Sequence, residues 1–567
     1  MRKIYFVIAL LTMVSSCKID LPRNQSTSTV PDVAEKSEQE AGQQTTKNSR
    51  ELIRDFENQI ASTLISNFSA EPTTQIPLYD SIETELTRLD VLITQLSSLN
   101  RSLLSVNTQH AVHQINMRRG FRQRELDLWL QTNHLNHLDE LLPPAVFQIV
   151  DIETLDNITN RLHHSAGALN RLQTRLEQQN AAGIHYPDNL LAESLQYIQH
   201  IGEPGTSVLL SRYRQILDYS NLESVEQQRR FEKFQTTFFK TTYPAYLGLS
   251  DYLNTLLNEH TNPISTIGGP ISLEPGLDSN ADSRVVLSDL HKDLKTSQQR
   301  IQNIETNQSL TLRQIYSDPR YSVKNQINAY QLVLNLVSIY VLDVEIDLLR
   351  WFSQKPTSEA IIAENDRPGR APFVYHDGVT LFDLATLIEV PIFELEALAY
   401  QYVVPGQHLL DTSQIPYNST LLQAYRDGWS SYAPGKIGEY DTGGEYFADE
   451  LSMLGLLVRS RLTICKAVAD LNIQLGNWSA MEAQQFIADN TPYSTQLITR
   501  EVNQIIANPG LAFNGYMVTR ELRKLHTLAI SSGKFSPRQF HSMVLIHSPA
   551  PLEYLREDLR DLLEEEF

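Results

Sequence analysis

The residues best spaced for chemistry lie between Ala399 and Ala433, in the stretch AYQYVVPGQHLLDTSQIPYNSTLLQAYRDGWSSYA. The polar side chains placed around the helix end, the turn and the second helix are Gln401, Tyr402, Gln407, His408 and Asp427, with Trp429 and Tyr432 close behind. A proline pushes the residue before it out of the α region, so a helix entering this stretch ends at or before Val404. Pro405-Gly406 then turns the chain, and Arg426-Asp427-Gly428-Trp429 follows about one helix-turn-helix later. A helix end, a sharp turn and a second acidic helix are the parts from which a helical zinc hydrolase assembles its site. The side chains for that chemistry are missing. One imidazole and one carboxylate do not make a zinc site, and the amides of Gln401 and Gln407 lack the basicity of imidazole and the charge of carboxylate. Tyr402 cannot act as a base near neutral pH without a large pKa shift.

The elements that must hold these residues read as helices. A periodic apolar run from Leu381 to Leu398 leads in, with a break or kink expected at Pro391. Val323 to Phe352 is apolar almost all round, which predicts a central buried helix. Asp449 to Leu475 predicts a long helix closed by Gly476, and Ser479 with Glu482 predicts a capping box for the next. Ser536, Pro537 and Gln539 repeat that device, and Pro551 opens a last helix running into an acidic tail. Upstream, apolar residues recur at three and four from Leu52 to about Leu104, and further helices are expected over 111–136, Leu162–Gln179 and 190–258. Residues 262–282 break the pattern with Gly, Pro and Ser, predicting a long loop or a small β excursion. The expected fold is mainly α: a large multi-helix bundle around a central cleft with minor β, divided into a lobe 49–320 and a lobe 321–567 that carries the key stretch.

An ordered series of short matches resembles one family, the bacterial domain of unknown function 885, whose members look like helical zincin-type peptidases. The family's HExxPGHH falls on Gln401-Tyr402, then Pro405-Gly406-Gln407-His408, and its EGWxxYxE falls on Asp427-Gly428-Trp429, Tyr432 and Pro434. Leu348–Pro356, the Arg367-Pro368-Gly369 segment and Ala181–Pro187 resemble upstream stretches, while Asp470, Trp478-Ser479 and Pro509-Gly510 resemble downstream ones. A family His falls on Gln474, the Gln after Pro-Gly falls on Leu511, and a Tyr-Lys pair falls on Gly515-Tyr516. The resemblance thus implies a peptidase-like fold, with zinc in intact relatives, whose catalytic positions are degenerate here at Gln401, Tyr402, Gln407, Asp427 and Gln474. It implies no cofactor for this chain and a cleft lined by His408, Trp429, Tyr432 and Asp470, suited to a peptide or protein ligand.

The N-terminus carries targeting information. Arg2-Lys3 precedes a short apolar run, and Val14-Ser15-Ser16-Cys17 resembles a bacterial lipobox. Residues 1–16 are expected to be a lipoprotein signal peptide, with Cys17 acylated and anchored in the lipid bilayer of the cell envelope, the outer membrane being favoured by Lys18. Residues 17–48 are polar and predict a flexible tether. The 567 residues carry a formal net charge of −20, which repels phosphate backbones and argues against nucleic-acid binding. With Cys17 assigned to the lipid, Cys465 stands alone in an apolar run and reads as a buried, inert thiol. No G-x-S-x-G, P-loop or G-x-G-x-x-G occurs. The fifteen histidines are scattered at no ligand spacing. Three functions follow as expectations: a binding or scaffold role for a catalytically degenerate domain, a hydrolase with relocated metal ligands, and peptidoglycan binding through a LysM-like segment at 374–409.

Overall fold

In the computed structural model the chain divides into two units, Met1–Glu57 and Asn58–Phe567. The structure describes residues 79–97, 152–184, 186–202, 207–259, 283–365, 378–412, 423–436 and 449–547, the strand 373–376 and isolated residues elsewhere, all in the second unit. The signal peptide, Cys17, the tether, the 262–282 segment, the Arg367-Pro368-Gly369 segment and the acidic tail lie outside the described residues.

The described fold is mainly α, with one small sheet. The N-terminal half comprises α1 (Tyr79–Ser97), α2 (Ile152–Ala181), α3 (Asp188–Gly202), α4 (Val208–Tyr219), α5 (Ser224–Thr237) and α6 (Tyr243–Glu259). Leu and Ile at three and four along α2 and α3, with Tyr213 stacked on Phe234 at 3.8 Å, close a core that runs from Leu135 to Leu256. Of the arginines over 118–124, Arg119 pairs with Asp90 at 2.8 Å and Arg122 with Glu85 at 3.1 Å.

The second core runs from Val286 to Leu559. It is built by α7 (Ser283–Gln308), α8 (Ala329–Asp347), β1 (Ile361–Glu364), β2 (Phe373–His376), β3 (Val379–Phe382), α9 (Leu395–Tyr402), α10 (Gln407–Thr412), α11 (Gln423–Tyr432), α12 (Glu450–Gln474), α13 (Ala480–Asn490), α14 (Thr495–Ala507), α15 (Leu511–Ser531) and α16 (Pro537–His547). The apolar side chains therefore divide between Leu256 and Val286, not at 320, and Ala507 joins the N-terminal cluster.

Two sequence expectations are corrected. The central buried helix is α12, which buries Leu454, Val458, Leu462, Cys465, Val468 and Leu471 and packs against α7, α9, α13, α14 and α15. In α8 only the row Val333, Val337, Val341 and Val344 enters the core, while Ile339, Leu342 and Ile346 are 50%, 60% and 74% exposed. The run Leu381–Leu398 breaks at Pro391, as read from the sequence, but before that break it is a strand and a single helical turn. β3 pairs antiparallel with β2 and parallel with β1, and Gly378 at φ +85° makes the β2–β3 turn. Asp383 then caps a short helical turn by accepting from Ala385 N at 2.9 Å, and α9 begins only after Pro391 and a 3-10 turn. The LysM-like segment is not a separable module, because β3 pairs with β1 outside it and Val390, Leu395 and Leu398 belong to the main core.

Within the described residues the punctuation of the C-terminal third stands as read; the helix start at Pro551 lies outside them. α9 ends at Tyr402, Asp449 caps α12, and the Ser479–Glu482 capping box forms with both of its hydrogen bonds.

Candidate functional site

The turn after α9 is set by Gly406. A Cβ there would lie 1.7 Å from the Gln401 carbonyl oxygen and 2.6 Å from that of Tyr400, so only glycine lets the chain fold back on the helix end. The Val404–Pro405 peptide is cis. Trp429 Nε1 donates to the Pro405 and Gly406 carbonyls at 2.9 and 3.2 Å, locking the turn to α11. α11 in turn crosses α15 at bare backbone: a Cβ on Gly428 would sit 2.4 Å from Val518 Cβ, and one on Gly515 would sit 3.3 Å from Asp427 Cβ. This crossing fixes Asp427.

Four residues expected to line the cleft are buried and structural. His408 is fully buried, with Nε2 2.9 Å from the Ser358 carbonyl and Nδ1 3.2 Å from Tyr375 OH. Tyr375 also donates to Asp411, which pairs with Arg426 at 3.2 Å. Trp429 is the lock just described. Tyr432 OH meets His541 Nε2 at 2.9 Å inside the core. Asp470 accepts from Gly510 N at 2.9 Å and Phe513 N at 3.0 Å, holding the start of α15 against α12, and Gln474 hydrogen-bonds the same carboxylate. Burial raises Asp470 to about 6 against those bonds. Gln407 is also buried, while Gln401 and Asp427 are both half-buried.

Tyr402 and Asp427 do come together, in a cluster whose other members the sequence reading missed. Lys466, one face of α12, pairs with Glu501 of α14, and it acts electrostatically on both Tyr402 and Asp427. Lys466 keeps 29% of its side chain exposed and Glu501 15%, so the pair lies at the edge of the core and is partly screened by solvent. Burial pushes the Asp427 carboxyl up to about 6, opposed by Lys466 and by the Gln423 amide, which donates at 2.9 Å. Burial also works against the Glu501 charge, but the Lys466 ammonium overcomes it and holds Glu501 below its ordinary value.

Two turns back along α12, Arg459 extends the cluster to Tyr402, Tyr493, Glu394 and Glu501, which together keep it charged. Glu394 is fully buried, with Oε1 accepting from Tyr316 OH at 2.5 Å and from Tyr493 OH at 2.9 Å. Burial lifts it to about 7 despite Arg459 and the two phenols. Arg459 reaches Glu394 through Tyr493, to which it is hydrogen-bonded. Glu394 Oε2 and Arg459 Nε and Nη1 are buried without hydrogen-bond partners. A sequence signal existed for the basic pair: Arg459 and Lys466 stand seven apart, two turns on one face of a largely buried helix.

The cluster does not fit zinc. The aligned positions supply amides, a phenol, one carboxylate and the imidazole of His408, both of whose nitrogens are engaged by Ser358 and Tyr375, and the groups beside Asp427 include an ammonium, which repels a dication. Among the described residues no three His, Cys, Asp or Glu side chains converge as a metal site. No helix among them is long and apolar enough to cross a membrane.

With fold and cluster in place, the comparisons define a class. The family described as "Bacterial protein of unknown function", domain of unknown function 885, matches residues 30–559. This chain belongs to that family. Two solved structures share its fold, each described as a "putative lipoprotein". The one from Colwellia psychrerythraea is 16% identical, with a TM-score of 0.72, covering 91% of this chain and 100% of its own. The one from Shewanella oneidensis, described as of unknown function, is 13% identical, with a TM-score of 0.59, covering 90% of this chain and 99% of its own. No curated protein matches the sequence.

Proposed function

We propose that this chain is a lipid-anchored protein of the bacterial envelope whose peptidase-like cleft has exchanged metal chemistry for ion pairing and works by binding. The anchoring rests on the lipobox ending at Cys17 and on the description of both structural neighbours. The observation that carries the loss of catalysis is Lys466. Its ammonium supplies, beside Asp427 and Glu501, the positive charge that a metal supplies in a hydrolase. An ammonium balances carboxylates but offers no open coordination position, so it neither lowers the pKa of a water nor polarises a carbonyl as a Lewis acid. Tyr402, whose phenol burial raises further above its ordinary value, supplies no base. The remaining cleft suits a peptide or partner protein.

The test is metal content. Residues 18–567, dialysed and assayed for zinc, are expected to retain none, and added zinc is expected to leave the melting temperature unchanged. About one retained equivalent per chain, the stoichiometry of a single catalytic site, overturns this reading in favour of a hydrolase with relocated ligands.

A further inference from the structure

α8 carries two apolar faces. Val333, Val337, Val341 and Val344 enter the core. A second row, Leu332, Asn335, Ile339, Leu342, Ile346 and Leu349, faces away from it and is carried past the helix end by the 3-10 turn Leu348–Arg350. Ile339, Leu342 and Ile346 are at least half exposed and Leu349 is 40% exposed. Single exposed apolar residues are ordinary on a protein surface, but these are aligned. From Asn335 onward they are spaced by four, three, four and three. That is the repeat of about 3.5 residues at which two helices pack along a narrow seam. Ile339 and Ile346 hold the first core position of the heptad and Leu342 and Leu349 the second, the pattern that favours a parallel pair of helices.

The charges beside the row select the partner. Glu345 borders it on one side and Arg350 on the other, five residues further on. In a parallel pair of identical helices that separation brings each Glu345 to the Arg350 of the other copy. Arg350, bonded to Asp347 of its own chain at 3.1 Å, keeps 59% of its side chain exposed. Ser338 falls opposite Asp343 in the same way, a hydroxyl that can donate to a carboxylate. An antiparallel pair matches each border with itself and keeps Glu345 and Arg350 apart. A bilayer is another apolar surface for such a face, but Asp343, Glu345 and Asp347 beside it repel anionic headgroups. We infer that α8 is a self-association surface, on which two copies of this chain pack their α8 helices in parallel about a two-fold axis. Each copy covers the same face of the other, so the contact closes at a dimer. A seam of about four turns is short, so the dimer is expected to be reversible, with a dissociation constant on the order of 10 µM.

Sedimentation velocity of residues 18–567 from about 1 to about 100 µM brackets that constant, and the parent is expected to pass from monomer to dimer across the range. Ile346→Glu alters a side chain that is 74% exposed, so its melting temperature at about 1 µM should match the parent's while dimerisation weakens by about tenfold or more. Glu345→Arg and Arg350→Glu each make both cross-pairs repulsive and should each weaken the dimer about tenfold. An equimolar mixture of these two variants sets opposite charges together at both contacts again and should dimerise like the parent. Flotation with vesicles of phosphatidylethanolamine and phosphatidylglycerol tests the bilayer, and the parent is expected to stay off them. The inference is overturned if the parent remains monomeric across the range, if Ile346→Glu dimerises as well as the parent, or if the mixture fails to recover. It is equally overturned if the parent floats with the vesicles and Ile346→Glu does not. None of these readouts involves zinc or a cleft ligand, so they stand apart from the metal-free reading.

Discussion

Replacing Lys466 with methionine keeps the length of the side chain and removes the ammonium. Glu501 then loses its ion pair and Asp427 loses the charge that most opposes its burial. Breaking a fully buried pair costs about 3–5 kcal/mol because a charge is left uncompensated. Lys466 is 29% exposed, so solvent screens part of this, and about 2–3 kcal/mol is the expected loss near pH 8. The pH dependence carries the diagnosis. In the parent, Glu501 sits below its ordinary value, so its contribution is present above the carboxylate range and is lost on acidification. In the variant, burial acts unopposed by Lys466, and Glu501 and Asp427 both move up. A carboxyl raised in the folded state destabilises as pH rises above its unfolded value. The difference between parent and variant should therefore be largest at pH 8 and shrink toward pH 4.5, where protonation removes the unpaired charges. Thermal melts at the two pH values read this directly: for a chain this long, roughly 1 °C of melting temperature corresponds to 1 kcal/mol. Adding Glu501→Gln to the variant should recover most of the loss at pH 8. Equal shifts at both pH values, or no shift at pH 8, would show that Lys466 is a surface side chain and that the cleft is not organised by charge.

Three further outcomes test the frame around the cleft. Asp470→Ala removes the acceptor for Gly510 N and Phe513 N and should destabilise by about 2–4 kcal/mol, seen as a lower melting temperature with early loss of protection from hydrogen exchange at the start of α15. Gly428→Ala drives a methyl group to 2.4 Å from Val518 Cβ and should cost about 1–3 kcal/mol, partly restored by Val518→Ala; no cost in denaturant titration would mean that α11 and α15 are not in contact there. His541 is fully buried, bonded to the Trp351 carbonyl at 2.7 Å, and burial pushes it down to about 3. Because the unfolded chain takes up that proton below about 6.5, His541 should destabilise the fold progressively as pH falls from 6.5 toward 3, by about 2 kcal/mol at pH 5. Comparing the pH dependence of melting in the parent and in His541→Gln isolates that slope, and parallel curves would sink the assignment.

The helix ends were legible because local chemistry decides them. The Ser479–Glu482 box, the Asp449 cap and the stop before Pro405 need only neighbours in sequence, and each forms as read. Burial was less legible. α8 reads more apolar than α12, yet α12 is the one surrounded, because α7, α9, α13, α14 and α15 all converge on it and no periodicity within one helix records how many partners it has. The hairpin of β2 and β3 was hidden for a related reason: β3 is only four residues long and fully buried, so its apolar run merges with the apolar run that follows Asp383, and only Gly378 marks its start.

The candidate site shows the same limit more sharply. Matching positions to a catalytic motif directs attention to what the motif lost, and on that basis His408, Trp429, Tyr432 and Asp470 read as cleft residues. Each instead keeps a scaffold role that owes nothing to a metal: His408 ties α10 to the Ser358 carbonyl, Trp429 locks the turn, Tyr432 reaches α16 and Asp470 starts α15. The charged groups that surround Tyr402 and Asp427 come from outside the motif. Buried carboxylates facing one another are stable only if they are protonated, withdrawn or balanced. Asp427 and Glu394 are lifted toward protonation, and Lys466 and Arg459 balance what remains. Basic residues two turns apart in a largely buried helix can be seen in the sequence without knowing what they face, since an ammonium or guanidinium carried toward a core needs partners there, as Lys466 has in Glu501 and Arg461 in the Asn490 and Leu294 carbonyls.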